Sequence, residues 1–482
     1  MSASLLPPAP DVGVPAELAV SLAPGARVLR GGRTLIGGSP LRLVSLTEAG
    51  AGVVAGWRIT SPVGEGAGRR RLARRLLDAG LLTAEPPAAP TTAELTVVVP
   101  VRDRAAALER CLDGVLASCQ NSAVIVVDDG SAMPAPVAAA CVARGVRLIR
   151  CEVSAGPAAA RNLGLAECRT PFVGFVDSDV VLPAGSAHRL LGHLSDPCVA
   201  AVAPRVRALE PSRGWIGGYE RRHSALDMGT NGGFVAPGRA LSYVPSTTLF
   251  VRRGSIVAGF DQSLRTGEDV DLVWRLCGAG WRVRYAPEIE VHHEHRASLA
   301  QFVAGRRAYA RSGGMLARRH PDALPAVWVS PAPALAWALA LSGRPRGALA
   351  AAGWAAVRHG VRIRRVGGAG RPRGELAGVM AVRVAAATGL TLAHGMRRPW
   401  LPPLLAFAVY QPRVRAGLLA AFAAAVTQDA LAAGDVRALP GDAALRVLEE
   451  VVAALATWEG CLRAGTVRPL LPSFTPSHPA AP

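Results

Sequence analysis

Phe172-Val173-Gly174-Phe175-Val176-Asp177-Ser178-Asp179-Val180-Val181-Leu182 decides how the rest of the chain is read. An apolar run of strand length arrives at two carboxylates one residue apart. An unpaired buried charge is costly, so a buried strand that closes on Asp177 and Asp179 needs a reason for them. The pair is either a surface turn with an Asp cap or a set of oxygen ligands. In the second case a hard divalent cation sits there, with phosphate oxygens completing its shell.

Working outward from this stretch, the pattern is α/β on both sides. Residues 95–99 read as a buried strand that ends at Pro100-Val101-Arg102-Asp103-Arg104. A helix follows over 105–118, with Leu108, Leu112, Val115 and Leu116 on its inner face. The next strand, 123–127, ends in Asp128-Asp129-Gly130-Ser131. After another helix and a strand over 146–150, Gly156-Pro157 opens the helix that carries Arg161 and Asn162. Strands alternating with helices predict a mostly parallel sheet whose ligands lie at the carboxyl ends of the strands. Each polar cluster falls at such an end.

Downstream, Gly267-Glu268-Asp269 precedes an amphipathic helix beginning at Val270. Acids there cap a helix start and complement its dipole. A carboxylate so held also stays ionised, as a general base for an acceptor hydroxyl must. Val291-His292-His293-Glu294-His295-Arg296 follows a strand over 281–290 and offers metal ligands or a surface histidine cluster.

The chain has 482 residues, enough for two or three domains, and half of them are hydrophobic, which excludes a disordered chain. The formal charge of +19 favours anionic partners such as nucleotide phosphates or an acidic membrane surface. All 54 basic residues are arginine and none is lysine, alongside abundant Ala, Gly, Pro and Val. That is the mark of GC-rich coding, so no nucleic-acid partner is expected. Eight cysteines without a Cys-x-x-Cys pair read as reduced core thiols of a cytoplasmic protein. The N-terminus lacks a basic-then-apolar signal.

The organisation expected is a flexible arm (1–17), a small winged-helix-like α+β domain (18–85), a Pro-rich linker (86–93), the α/β core (94–320), a helical region (321–465) and a disordered tail (466–482). In the small domain, Thr47 is expected to cap a helix through Trp57. Arg69 to Ala79 form a second helix with Leu72, Leu76 and Leu77 on one face. The arginines on its other face (Arg69, Arg70, Arg71, Arg74, Arg75) form a solvated face or, less simply, a DNA contact. The helical region has apolar runs at 324–342, 376–394 and 416–428. Prolines interrupt the first, Arg383 the second, and the third is too short to span a bilayer. With arginines at 362–373 and 397–398, these helices form either a soluble Ala-rich bundle or a layer on the inner face of the cell membrane.

In order, Val97 to Arg104, Val127 to Ser131, Ala160-Arg161-Asn162, Asp177-Ser178-Asp179 and Gly267 to Asp271 resemble the motifs of the family 2 glycosyltransferases, over about 94–320. The resemblance implies a GT-A fold and an inverting transfer from a UDP-sugar. By it, Asp128 and Asp129, with Pro100 and Arg102, bind the uracil and ribose, and Arg161 meets the diphosphate. Asp179 with Asp177 holds Mg²⁺ or Mn²⁺, with His293 (His295 next) as a further ligand. Asp269 is the general base, with Glu268 beside it. Gln301 to Arg307 lacks the tryptophan of the Gln-x-x-Arg-Trp motif, so processive synthesis is not implied. Leu43 to Thr47 and Leu76 to Leu82 resemble peptide-recognition domains. The whole layout resembles the glycosyltransferases of the mycofactocin system, which implies transfer of glucose to a redox cofactor made from a ribosomal peptide. Two other functions compete: a cell-envelope lipid or polysaccharide glycosyltransferase, and a peptide- or DNA-binding protein with an inactive GT-A core.

Overall fold

A computed structural model describes residues 6–29, 32–39, 41–89, 91–210, 214–295, 298–366, 373–433 and 439–474. Two compact units are present: Met1–Arg42, Leu46–Arg213 and His223–His295 form one, and Leu43–Ser45, Gly214–Arg222 and Arg296–Pro482 the other.

The first unit opens with β1 (Ala19–Leu22), β2 (Arg27–Val28), β3 (Thr34–Gly37), β4 (Arg42–Ser45, largely in the second unit), α1 (Glu48–Gly56), β5 (Ser61–Pro62), α2 (Ala67–Asp78) and β6 (Leu82–Glu85). Antiparallel ladders join β1 to β5 and β6, and β2 to β3. Thr47 caps α1 as expected, its hydroxyl accepting the Gly50 N–H at 3.1 Å. In α2, Leu76 and Leu77 are buried, and the arginine face is not wholly solvated. Arg74 is turned inward, and both its terminal nitrogens donate to Asp196 at 2.7 Å.

Where a loose arm and a linker were expected, the described residues lie against the core. Val14 is fully buried. The Trp281 indole donates to the Pro7 carbonyl at 2.7 Å, and the Ala9 N–H donates to Ala279 at 3.0 Å. Ala89 exchanges bonds with His188 through both its N–H and its carbonyl. Residues 1–5 and Pro90 lie outside the described residues.

The core follows as β7 (Leu95–Val101), α3 (Ala105–Ser118), β8 (Ala123–Asp129), α4 (Pro134–Val142), β9 (Arg147–Cys151), α5 (Pro157–Glu167), β10 (Phe172–Val176), β11 (Val180–Val181), α6 (Ser186–His193), β12 (Val199–Ala208), α7 (Gly214–His223, largely in the second unit), β13 (Gly233–Val235), β14 (Thr248–Arg252), α8 (Glu268–Gly278) and β15 (Arg282–His293). The sheet order is β11-β15-β12-β14-β10-β7-β8-β9, with β13 on β15. Strands β9, β8, β7 and β10 are parallel, as the βαβ pattern predicts, and nearly all of β7 and β8 is buried. The sheet is more mixed than expected, because β14 runs antiparallel to both β10 and β12.

Two local features position the site. Gly164 lets α5 lie directly on the sheet, since a Cβ there would stand 2.3 Å from Val98. The strand expected over 281–290 is β15, and it runs on to His293. Its register against β12 jumps from Pro204↔Ala286 to Arg205↔Glu290, so Pro287, Glu288 and Ile289 bulge out. The bulge accommodates a proline without a ladder N–H and carries the strand on to His292 and His293, which pair with Val181 and Val180.

The second unit holds the remaining helices: α9 (Leu299–Arg319), α10 (Pro331–Leu341), α11 (Pro345–Val366), α12 (Arg373–Arg397), α13 (Leu401–Tyr410), α14 (Pro412–Ala433) and α15 (Leu439–Ala464). Contacts therefore divide the chain at Arg296, ahead of α9, rather than at 320. Pro331 and Pro333 do not break the first apolar run; they begin α10, where a missing N–H costs nothing. The run at 416–428 is part of a 22-residue helix, α14. Among the described residues, its segment Pro412–Leu431 is the one helix long and apolar enough to cross a membrane. Arg397 and Arg398 point inward, Arg397 to the Ala421 carbonyl at 2.6 Å and Arg398 to the fully buried Glu450. The side chains of 362–373 lie outside the described residues, as do residues 475–482 of the tail. The described part of the tail docks on its unit, with the Ser473 N–H donating to Val327 at 2.9 Å.

Candidate active site

The site lies within the first unit, where β10 ends beside the turn before β14. The β10–β14 ladder runs on past Val176↔Thr248, so that the Asp177 N–H donates to the Thr247 carbonyl at 2.9 Å. One residue earlier, the Ser246 N–H donates to Asp269 Oδ2 at 3.1 Å. Residues 246 and 247 thus bring the central acid pair and the start of α8 to one place. Gly267 makes this possible: it is the N-cap of α8 in the left-handed region (φ 85°), and it turns Glu268 and Asp269 inward.

Arg161 ties the two halves together. It reaches Asp177 Oδ1 at 2.7 Å and Glu268 Oε1 at 2.8 Å, and its guanidinium carbon stands 5.4 Å from the centre of the Phe260 ring. Burial works against its charge, but the Asp177 and Glu268 carboxylates outweigh that and hold it protonated. Asn162, the next residue, clamps the Phe260 backbone from both sides, at 2.7 and 2.8 Å.

Asp179 has a different counter-ion, Arg104, which the sequence motif contains but does not single out. Asp103 between the two arginines adopts a left-handed conformation (φ 55°). Arg102 reaches Ser154 at 3.0 Å, while Arg104 reaches Asp179. On the other oxygen of Asp179 stands His293 Nε2, at 3.4 Å. Burial raises Asp179, but the His293 hydrogen bond and charge and then Arg104 pull it down to about 2. Asp177 is shifted the opposite way. Burial pushes it up, and Arg161 offsets that only in part.

Asp269 accepts from Ser246 and, at 2.8 Å, from the Val270 N–H. Burial first and the Glu268 charge second push it up to about 6. A carboxylate of this affinity is half protonated near pH 6 and ionised above, as proton abstraction near neutrality requires.

The structure does not bring all the predicted residues to an open face. Asp128 is fully buried and both its oxygens are filled, by the Ser131 N–H at 2.9 Å and by Arg150 at 2.6 Å. Asp129 accepts the Ser154 hydroxyl and the N–H groups of Ala155 and Gly156 at 2.7–3.0 Å, which fastens the start of α5. Pro100 is half-buried near the end of β7. There the pairing with β10 has ended at Val98, while the register with β8 continues through Pro100↔Val127.

Among the described residues, no three His, Cys, Asp or Glu side chains converge on one point as a preassembled metal cage. Asp179 and His293 are nevertheless adjacent, and His293 Nδ1 is a buried nitrogen without a hydrogen-bond partner. One carboxylate and one imidazole are the donor types of a divalent-ion site, and these two residues would contribute two of its ligands.

The glycosyl transferase family 2 model matches residues 96–255, a span that holds Arg104, Asp129, Arg161, Asp177 and Asp179. The pre-mycofactocin glycosyltransferase of Mycobacterium tuberculosis is 39% identical over 414 residues, 85% of this chain and 86% of that one. The succinoglycan biosynthesis protein ExoU of Rhizobium meliloti is 25% identical over 207 residues, 41% of this chain and 60% of that one. Among solved structures, a Pyrobaculum calidifontis mannosyltransferase in complex with GDP-mannose and Mn²⁺ is 18% identical, covers 77% of this chain and 90% of that one, and has a TM-score of 0.41. With the motifs on one sheet edge and a relative matched along most of both lengths, this chain belongs to glycosyl transferase family 2, as a GT-A glycosyltransferase similar to the pre-mycofactocin enzymes.

Proposed function

We propose that this glycosyltransferase transfers glucose from UDP-glucose, with inversion, onto a peptide-derived redox cofactor of the mycofactocin type. The observation that carries the chemistry is the unit Asp177–Arg161–Glu268, which sets Asp269 next to the acid pair. Asp269 takes the proton of the acceptor hydroxyl as that oxygen attacks the anomeric carbon. Arg161 is fixed by two carboxylates and an aromatic face, so its charge is in place before the leaving diphosphate develops its own. Asp179 and His293, with Asp177, are the residues that would hold a divalent cation, which would supply positive charge toward the leaving diphosphate. Arg102, Pro100 and Asp129 edge the nucleotide pocket; Asp128 acts beneath them by holding the loop. The peptide-derived acceptor rests on the relative that shares most of the chain. Eight free cysteines, most of them buried, fit a cytoplasmic enzyme.

The test is product analysis. With UDP-glucose, Mn²⁺ and the peptide-derived acceptor, the purified chain should yield a glucoside of inverted configuration, read by NMR coupling constants. Retained configuration, or transfer only to a lipid or polysaccharide acceptor, overturns the proposal. Asp179→Ala should abolish transfer and weaken Mn²⁺-dependent UDP binding while circular dichroism shows the fold intact. Full activity of that variant in chelator would remove the metal.

The pH profile is a second check. Transfer under kcat/KM conditions should fall tenfold per unit as pH drops below about 6, where Asp269 is protonated, and level off above it. Glu268→Gln removes a neighbouring negative charge, so the acid limb should move to lower pH. A limb that stays put means another group titrates.

A further inference from the structure

The second unit brings the ends of two apolar helices together at one place on its surface. α10 closes with Leu341-Ser342-Gly343-Arg344-Pro345-Arg346, and α13 passes into α14 through Tyr410-Gln411-Pro412-Arg413-Val414-Arg415. These turns are neighbours: a Cβ built on Gly343 would lie 3.2 Å from the Arg413 guanidinium carbon, and one on Gly417 would lie 3.9 Å from Leu341. The apolar ends face water, with Leu341 45%, Phe407 61%, Val409 69% and Tyr410 82% exposed. Arg344, Arg346, Arg413 and Arg415 are exposed beside them. Between Asp322 and Asp429 the sequence has one acid, Glu375, against thirteen arginines.

Large apolar side chains grouped at a surface mark a docking site, and the charged residues of these two turns are all arginine. An anionic phospholipid interface matches it in both respects, apolar below and negative above. A second copy of the chain would set the same arginines against themselves. The depth is also restricted. α10 and α13 have 11 and 10 residues, roughly 16 Å of helix, too short for a hydrocarbon core of about 30 Å. α14 is long enough in total, but Arg415 and Asp429 bound a charge-free stretch, 416–428, of only about 20 Å of helix, and Leu418, Ala421 and Ala425 within it are buried. We propose that the tip formed by Leu341, Phe407, Val409, Tyr410 and their four arginines binds anionic phospholipid and seats this unit on one face of a bilayer without crossing it.

The test is flotation of the full chain with vesicles of phosphatidylcholine alone or with a quarter phosphatidylglycerol. Binding is expected only to the anionic vesicles at about 0.1 M salt and should be released at 1 M. Each arginine near such a surface is worth roughly a factor of five, so Arg413→Glu/Arg415→Glu should weaken binding at least about 25-fold. Phe407→Asp/Tyr410→Asp should abolish it. Both variants should keep the wild-type circular dichroism, melting temperature and UDP-sugar hydrolysis, since neither touches the catalytic residues. Three outcomes of the binding assay overturn the proposal. They are no binding by the wild-type chain, binding that both variants retain, and a self-association that Phe407→Asp breaks without lipid. A membrane-bound fraction resistant to alkaline carbonate would show a spanning segment and overturn it as well.

Discussion

Asp269→Asn should lower transfer by about 10²–10⁴-fold, the usual range for a positioned acid or base, while UDP-sugar affinity holds and the melting temperature does not fall. The amide keeps the shape and one of the two acceptor positions that serve Ser246 and Val270, but it cannot take a proton. Stability separates this role from capping. Folding raises the Asp269 pKa from 3.8 to about 6, so above pH 6 the native state carries an ionised carboxylate at a cost. That cost is on the order of 3 kcal/mol and disappears below pH 3.8, where both states are protonated. Asn avoids the charge altogether, which offsets the one backbone N–H left without its acceptor, worth about 1 kcal/mol. A helix cap would behave in the opposite way, losing stability with little change in rate. Transfer within threefold of wild type, with a fallen melting temperature, would remove Asp269 from the chemistry.

The edge of the sheet was legible because a parallel α/β pattern concentrates function at strand ends. The α/β pattern put Asp177, Asp179 and Arg161 at that end of the sheet, and the resemblance to family 2 glycosyltransferases added the start of α8. What escaped depends on contacts that have no period. Arg104 and Arg102 look alike in Pro100-Val101-Arg102-Asp103-Arg104, and only the left-handed turn at Asp103 decides which of them meets Asp179. Asp128 and Asp129 look equally available at the end of β8, yet their oxygens are spent on loop amides, a hydroxyl and Arg150. His293 was expected after a strand and lies in one, because a bulge at Pro287 lengthens β15. The arginine face of α2 has the spacing of a solvated face. Arg74 leaves it for a partner 122 residues away, and no local pattern carries that information.

That partner bears on the second large effect. Deleting residues 1–88 should leave no soluble, donor-competent core, although a proline-rich segment follows. The deletion strips Asp196 of both bonds from Arg74, Arg282 of its pair with Asp78 (2.9 Å) and the buried Arg284 of the Ala84 carbonyl (2.6 Å). In the full chain the side chains of Arg74 and Asp196 are only 10% and 5% exposed, so loss of the Arg74 guanidinium alone leaves a buried carboxylate unpaired. Removing one partner of such a pair costs about 3–5 kcal/mol, a large fraction of the stability of an ordinary domain. Arg74→Ala alone should therefore lower the chemical-denaturation stability by that amount. Arg74→Met/Asp196→Leu should recover most of it, because two apolar groups of similar volume carry no uncompensated charge. Activity per folded molecule should stay unchanged in both, since neither residue meets the donor or the base. A truncated chain beginning near residue 89 that is soluble and hydrolyses UDP-sugar would show that the small domain is an appendage, and that Asp196 finds its counter-charge elsewhere.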